Sequence, residues 1–324
     1  MAATVGPPYP PLTAGLGGLP TVIPDAVISA IFIALFLGLA AVNMTILQAN
    51  KRRRHSFPIS GMLFGLCMGR VTTLVLRMAW ATAPRNVRLG LAASIFVNCG
   101  VVLLYVTNLV FAQRVLRARQ PPLGWHPGLR VLIWATYACI VASLVMAITS
   151  AVWNAYTVPG DVRAKLLCRA LLQAASSMLL MVTALPLLLL TLATLLPRRD
   201  DEEAFGRGSM LAKMLVLALS ALLCVTIAGF KTGTAWAPAR LISAPAWYHR
   251  RAPFYLFLFT LELVDLTLLT ASRVDQRFHV PDGSWKSGDY SRARRLSDAS
   301  SKREIAAVGR RRDETRWVPP REPG

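Results

Sequence analysis

The sequence predicts an all-α protein: a bundle of seven transmembrane helices, N-terminus outside and C-terminus inside, with a disordered C-terminal tail. Three observations predict it. Of 324 residues, 54% are hydrophobic and only 16% charged, where a soluble domain carries about 25%, and mean hydropathy is +0.47. Charge is also concentrated at one end, since residues 273–324 hold 13 Lys/Arg and 8 Asp/Glu. Finally, seven separate apolar stretches each reach the roughly 20 residues a helix needs to cross about 30 Å of hydrocarbon. The chain divides accordingly into a Pro/Gly-rich extracytoplasmic N-terminus (1–24), a transmembrane domain (25–274) and a basic cytoplasmic tail (275–324).

Residues 1–24 contain six Pro, four Gly and no Lys or Arg. A secretory signal has a basic start and a short apolar run, so the first span, 25–48, reads as an uncleaved anchor. Lys51-Arg52-Arg53-Arg54-His55 follows at once and favours the cytoplasmic side. The second span, 58–82, carries Arg70 and Arg77; the third, 89–113, carries Asn98 and Asn108. The fourth is 129–152. The fifth, 171–196, begins just after Arg169 and contains Pro186, which predicts a kink. The sixth is 210–230, and the seventh, 252–273, carries Glu262 and Asp265. Helices are the reading throughout, because backbone groups in lipid must be satisfied within the segment.

Orientation follows from counting. With the N-terminus outside, inner loops and tail hold 25 basic residues, outer loops nine, and a span the other two. That asymmetry is the one cytoplasmic loops normally show. Trp80, Trp153, Tyr156, Trp247 and Tyr248 then cluster at outer span ends as interfacial anchors. The net charge of +20 is accounted for by topology and by attraction to anionic lipid head groups, the expected partners, rather than by nucleic acid.

The five cysteines (Cys67, Cys99, Cys139, Cys168, Cys224) lie in or beside apolar spans with no paired spacing, and read as small packing residues. The histidines His55, His126, His249 and His279 all fall in loops or tail. No HExxH, GxSxG or phosphate-cradling glycine loop is present. The expectation is a non-enzyme with no catalytic residues, metal or cofactor.

The informative residues are the ionisable ones at membrane depth. Arg70 and Arg77 are seven apart and share a helical face; Glu262 and Asp265, three apart, share another. Arg70 lies 12 residues from the inner end of its span and Glu262 lies 11, or about 18 Å and about 16 Å deep. Matching depths predict an Arg70–Glu262 pair between the second and seventh helices. Such a pair either fixes helix packing or lines a pathway for substrate, ion or ligand. Asp265 falls a turn closer to the cytoplasm, and Arg77 is expected to snorkel outward. Asn98 and Asn108 can join a polar interior.

In the tail, Arg294-Arg295-Leu296-Ser297 matches a basophilic kinase pattern, making Ser297 a candidate phosphorylation site and a cytoplasmic kinase or tail-binding protein a candidate partner. Arg310-Arg311-Arg312 reads as a solvated basic patch. Asn43-Met44-Thr45 fits a glycosylation sequon but lies inside the first span.

Several segments resemble a fungal family of seven-helix membrane proteins of unassigned function. They are Gly69-Arg70, Arg77-Met78-Ala79-Trp80-Ala81-Thr82, Asn86-Val87-Arg88, Phe111-Ala112-Gln113-Arg114, Gly124-Trp125-His126, Trp247-Tyr248-His249 and Phe254-Tyr255. The run from Arg273 through Asp275, Phe278 and His279 to Ser284 is the most specific. More distantly, the acidic residue in an aromatic-rich last span, followed by His and a Pro-Gly type ending, is similar to the fungal lipid-translocating exporter family. The resemblance implies a fungal origin and a plasma-membrane or endomembrane location, with no site residues carried over. Three functions stay open: a transporter or lipid translocase first, a seven-helix receptor second, a membrane scaffold third. Against the receptor, the third span ends Phe111-Ala112-Gln113-Arg114, and the seventh lacks an Asn-Pro-x-x-Tyr ending and any lysine for a retinal Schiff base.

Overall fold

The computed structural model describes residues 6–52, 57–197, 202–281, 283–284 and 286–291. Among them, seven helices of 21 to 34 residues are long and apolar enough to cross a membrane. They are α1 (Val22–Arg52), α2 (Ile59–Thr82), the pair α3 (Val87–Cys99) and α4 (Val102–Arg119), α6 (Pro127–Tyr156), α7 (Val162–Leu195) and α8 (Met210–Trp236). The seventh runs from Arg251 to Ala271 as α9 (Arg251–Tyr255), a π-helical turn (Leu256–Thr260) and α10 (Leu261–Ala271). One-turn helices α5 (Pro121–Gly124) and α11 (Val274–Arg277) cap one end.

Local chemistry sets the helix starts. Asn86, Asp161 and Ser209 each accept the backbone N–H three residues on, from Leu89, Ala164 and Ala212, satisfying donors that have no intrahelical partner. Within the spans, Thr73, Thr107, Thr136, Ser143 and Thr183 return their hydroxyls to the carbonyl four residues back. This lets a hydroxyl reside in an apolar layer without an unmet donor.

Consecutive helices run antiparallel. α1 packs on α2, α6 on α7 and α7 on α8; α4 is central, touching α2, α7 and α8, and α10 closes against α8 and α1. The two ends of the bundle can be named by the chain. The N-face gathers residues 6–21, the α6–α7 turn and the α8–α9 loop, as Tyr9 N–H to Ala155 O (2.8 Å) and Ala14 N–H to Arg240 O (2.8 Å) attest. The C-face gathers the α4–α5 turn, the α7–α8 loop and residues 274–291, tied by Glu203 N–H to Ala118 O (2.8 Å) and Arg207 N–H to Gln276 O (2.9 Å).

Most span boundaries lie a few residues outside those read from the sequence, and three of them bear on charge. The first span begins at Val22, which takes Asp25 inside; the fifth begins at Val162, so Arg163, Lys165 and Arg169 are helical; the sixth continues to Trp236 and takes in Lys231. Asp25, Lys165, Arg169 and Lys231 each find a partner in the folded bundle: in turn, Arg77 and Arg251, Asn154, Ala237 O and Val97 O.

The tail is corrected as well. Residues 275–281 and, further on, 286–291, expected to be disordered, pack back on the C-face. Asp275 and Tyr290 are buried and Phe278 fully so. Phe278 stacks on Phe111 (4.2 Å between centroids) and meets Phe205, while Tyr290 packs against Phe205 and Trp125. Glu203 holds the turn by accepting Gly288 N–H (2.6 Å) and Tyr290 N–H (3.0 Å). The composition is polar, but two aromatic anchors ten or so residues apart are enough to dock a segment on an apolar seat. Ser297 and Arg310–Arg312 lie outside the described residues.

Candidate functional site: a cationic cavity above a layer of buried charge

The deepest layer joins three spans. Arg70, on α2, is fully buried; its Nε and Nη2 both donate to the Glu262 carboxylate on α10 in a two-pronged pair. Its Nη1 reaches the Val97 carbonyl at 3.1 Å. That carbonyl is free because the third span breaks between Cys99 and Val102. Gly100 makes room at the break, since a Cβ there would sit 3.0 Å from Arg70 Cζ. On the other side Lys231, from α8, donates its Nζ to the same Val97 oxygen at 3.2 Å. Just before Glu262, the π-helical turn widens the seventh span, with Thr260 Oγ1 donating to Tyr255 O at 3.2 Å. Discontinuous helices and π-turns at membrane depth are the usual backbone of binding sites there.

Nearer the N-face, Arg77 does not snorkel. It is 4% exposed, lies over the Phe254 ring (4.2 Å), and donates Nη2 to Gly17 O at 2.8 Å and to Asp25 Oδ1 at 3.2 Å. Asp25 is the hub. It also accepts Tyr255 Oη–H (2.9 Å) and Thr21 N–H (2.9 Å) and pairs with Arg251 Nε (3.1 Å). With a carboxylate available at its own depth, Arg77 gains more inside than by reaching for the surface. Asp25 was not singled out by the sequence reading, which began the first span at that residue.

Between this cluster and α3, α4, α6, α7 and α8 lies a cavity of about 800 Å³. Its walls are largely apolar, from Val97, Val101, Leu144, Leu172 and Leu179, with Asn98, Ser94 and Ser176 adding polar points. Arg77, Lys231, Arg250 and Arg251 line it, and no Asp or Glu does. Residues 11–19 and 242–251 form its rim, where Thr13 and Leu241 make a single antiparallel bridge. His249 also stands at the rim; burial, with Arg240 nearby, holds its imidazole below the ordinary value. Its Nδ1 accepts Ala246 N–H at 3.2 Å.

The third buried carboxylate stands apart. Asp265, on the same helix as Glu262, is fully buried and accepts the Cys224 thiol, at 3.3 Å, through Oδ2, with the Ser220 hydroxyl beside it. Cys224 in turn receives Asn108 Nδ2–H (3.2 Å), and Asn108 Oδ1 accepts Ser220 Oγ–H (2.9 Å). Thus Asn108 joins the polar interior, whereas Asn98 bonds its own helix at Ser94 O and faces the cavity. Of the four charged residues singled out in the sequence, Arg70 and Glu262 meet each other, Arg77 meets Asp25, and Asp265 meets no cation.

Lys231 was missed because hydropathy falls at Gly229–Thr234 and the sixth span was ended at residue 230. The available signal was the helical spacing that continues through Ala228, Thr232 and Ala235 to Trp236.

Seven such helices around a polar, charge-lined interior define a multi-pass integral membrane protein. Comparison with protein-family models, curated proteins and solved structures gave no match.

Proposed function

We propose that the protein is a transporter of the lipid-translocase type, with the N-face cavity as the entrance to its pathway and an amphipathic anion as its cargo. One observation carries this reading: four cationic side chains line a largely apolar cavity that has no carboxylate in its wall. Asp25 offsets one charge of the Arg77–Arg251 pair, and Glu262 is consumed by Arg70. Lys231 is left with three donors and one carbonyl. A positive field in a low-dielectric wall attracts an anionic group, and the apolar walls suit an acyl chain. Transport rather than catalysis is supported by the broken third span and the π-turn beside the Arg70–Glu262 pair. On this reading the N-face is extracytoplasmic, and the basic C-face meets anionic head groups of the inner leaflet.

Vesicles containing the purified protein and labelled phosphatidylserine or phosphatidylcholine test it. Flux of the anionic lipid should exceed that of the zwitterionic one. It should fall at least about tenfold in Lys231→Gln, a loss of about 1.4 kcal/mol in cargo interaction. Equal flux for both lipids, or flux indifferent to Lys231, sinks the proposal. The sealed C-face supports a receptor as second reading, and saturable binding of the anionic lipid without flux would select it.

A further inference from the structure

Asp265 has a feature that the cargo reading does not use. Its Oδ1 is buried with no hydrogen-bond partner, and the hydroxyl of Tyr105, buried on α4, has none either. Around the carboxyl stand Ser220 and Cys224 from α8, Asn108 and Tyr105 from α4, and Glu262 one turn earlier on its own helix, the last already bound to Arg70 of α2. Among the described residues no Lys or Arg reaches Asp265 within ion-pair distance. An uncompensated carboxylate at membrane depth costs several kcal/mol. Its own free oxygen, the orphaned Tyr105 hydroxyl and the chain Ser220–Asn108 supply carboxylate, hydroxyl and amide oxygens, the ligands a hard cation takes. Tyr105 also forms part of the cavity wall, which links this cluster to the cavity.

We propose that Asp265, with Ser220, Asn108 and Tyr105, forms a binding site for a small monovalent cation, a sodium ion or a proton, reached through the cavity. The cation neutralises a carboxylate in the membrane layer that no Lys or Arg among the described residues reaches. No covalent step is involved: the ion enters from water at the cavity and returns to it. Where the cargo is an anion, such a site gives the carrier a coupling ion of opposite sign. The site itself rests on Asp265 and its neighbours, and its test reads stability, so it fails or stands independently of the cargo reading.

The experiment is a thermal-unfolding titration of the full chain in detergent, in sodium, potassium and choline chloride at equal ionic strength. It is paired with infrared spectra in the carbonyl-stretch region. A sodium site raises the unfolding temperature in sodium over choline. Ser220→Ala then weakens the apparent sodium affinity about tenfold or more, and Asp265→Asn removes the dependence. A proton site shows no cation preference but a protonated-carboxyl band at neutral pH that Asp265→Asn deletes and Ser220→Ala shifts. Absence of both, with Asp265 an ionised carboxylate in every salt, overturns the proposal. Should Asp265→Asn fail to fold, Ser220→Ala and Asn108→Ala give the same readings, since they keep the carboxylate.

Discussion

The two halves of this bundle use the same kinds of residue for opposite ends. In the C-face half, aromatic rings meet ring to ring: Phe111, Phe278, Phe205, Tyr290 and Trp125 form a continuous seal. Its basic residues are spent within that packing: Arg114 on Phe278 O, Arg277 on Ser272 O, Arg273 on Asp275, and Arg117 over the Trp125 ring. In the N-face half an aromatic ring likewise carries a cation, Phe254 under Arg77, but here basic side chains face open volume. One half is filled and the other kept partly empty. A close-packed region resists deformation, so the seal is the rigid end and the cavity rim the end that can rearrange.

The largest expected effect joins the halves. Glu262→Gln leaves the Arg70 guanidinium buried beside a neutral amide. Breaking a buried pair this way costs about 3–5 kcal/mol, seen as a steep fall in unfolding temperature. Glu262→Arg or Arg70→Glu alone should abolish folding, and the double exchange should recover part of it. If it recovers nothing, the pair is not the structural joint described.

Next come two substitutions that set seal against cavity. Phe278→Ala removes a fully buried ring from the seal and should cost about 3–5 kcal/mol, by denaturant titration in micelles. Asn98→Ala, at the cavity wall, removes one bond to its own helix and should change stability by less than about 0.5 kcal/mol. Comparable losses would erase the contrast. Of intermediate size is Gly206→Ala. Gly206 has φ of +54° and a Cβ would lie 2.1 Å from Arg277 O. The left-handed backbone alone costs about 1–2 kcal/mol for a side chain, and the clash requires the 202–208 loop to lift off α11.

The smallest effect is a difference in acid sensitivity. His249 titrates below its ordinary 6.5, so its contribution is full above pH 6.5 and drains as pH falls through the lower folded value. Burial opposes charge on Asp275, but hydrogen bonds from Arg273 and Asn50 outweigh it and hold the carboxyl below its ordinary 3.8. Its contribution therefore persists above pH 3.8 and is lost only in stronger acid. Amide exchange should rise first in residues 242–250 as pH falls, with 274–290 following in stronger acid. The reverse order would contradict the assignment of both groups.

Much of this was legible in the chain. The seven helices followed from apolar length, because lipid offers a backbone no other way to satisfy its donors and acceptors. The Arg70–Glu262 match followed from depth, since a helix converts residue number into height at a fixed rise. What was not legible has one cause. A hydropathy reading ends a span where a charge appears, yet Asp25 and Lys231 are carried inside by partners that are remote in sequence: Arg251 for the first, Val97 and the Arg70–Glu262 layer for the second.

The sequence alone therefore determined the element type, the number of spans and the matching depth of Arg70 and Glu262, because these depend on local spacing in a uniform apolar solvent. Only the tertiary structure decided which charges meet, that Arg77 stays inward, that no described Lys or Arg reaches Asp265, and that Phe278 and Tyr290 close the C-face. Those outcomes depend on what stands opposite each side chain. Opposition between helices is set by rotation and packing of the whole bundle, which no single segment encodes.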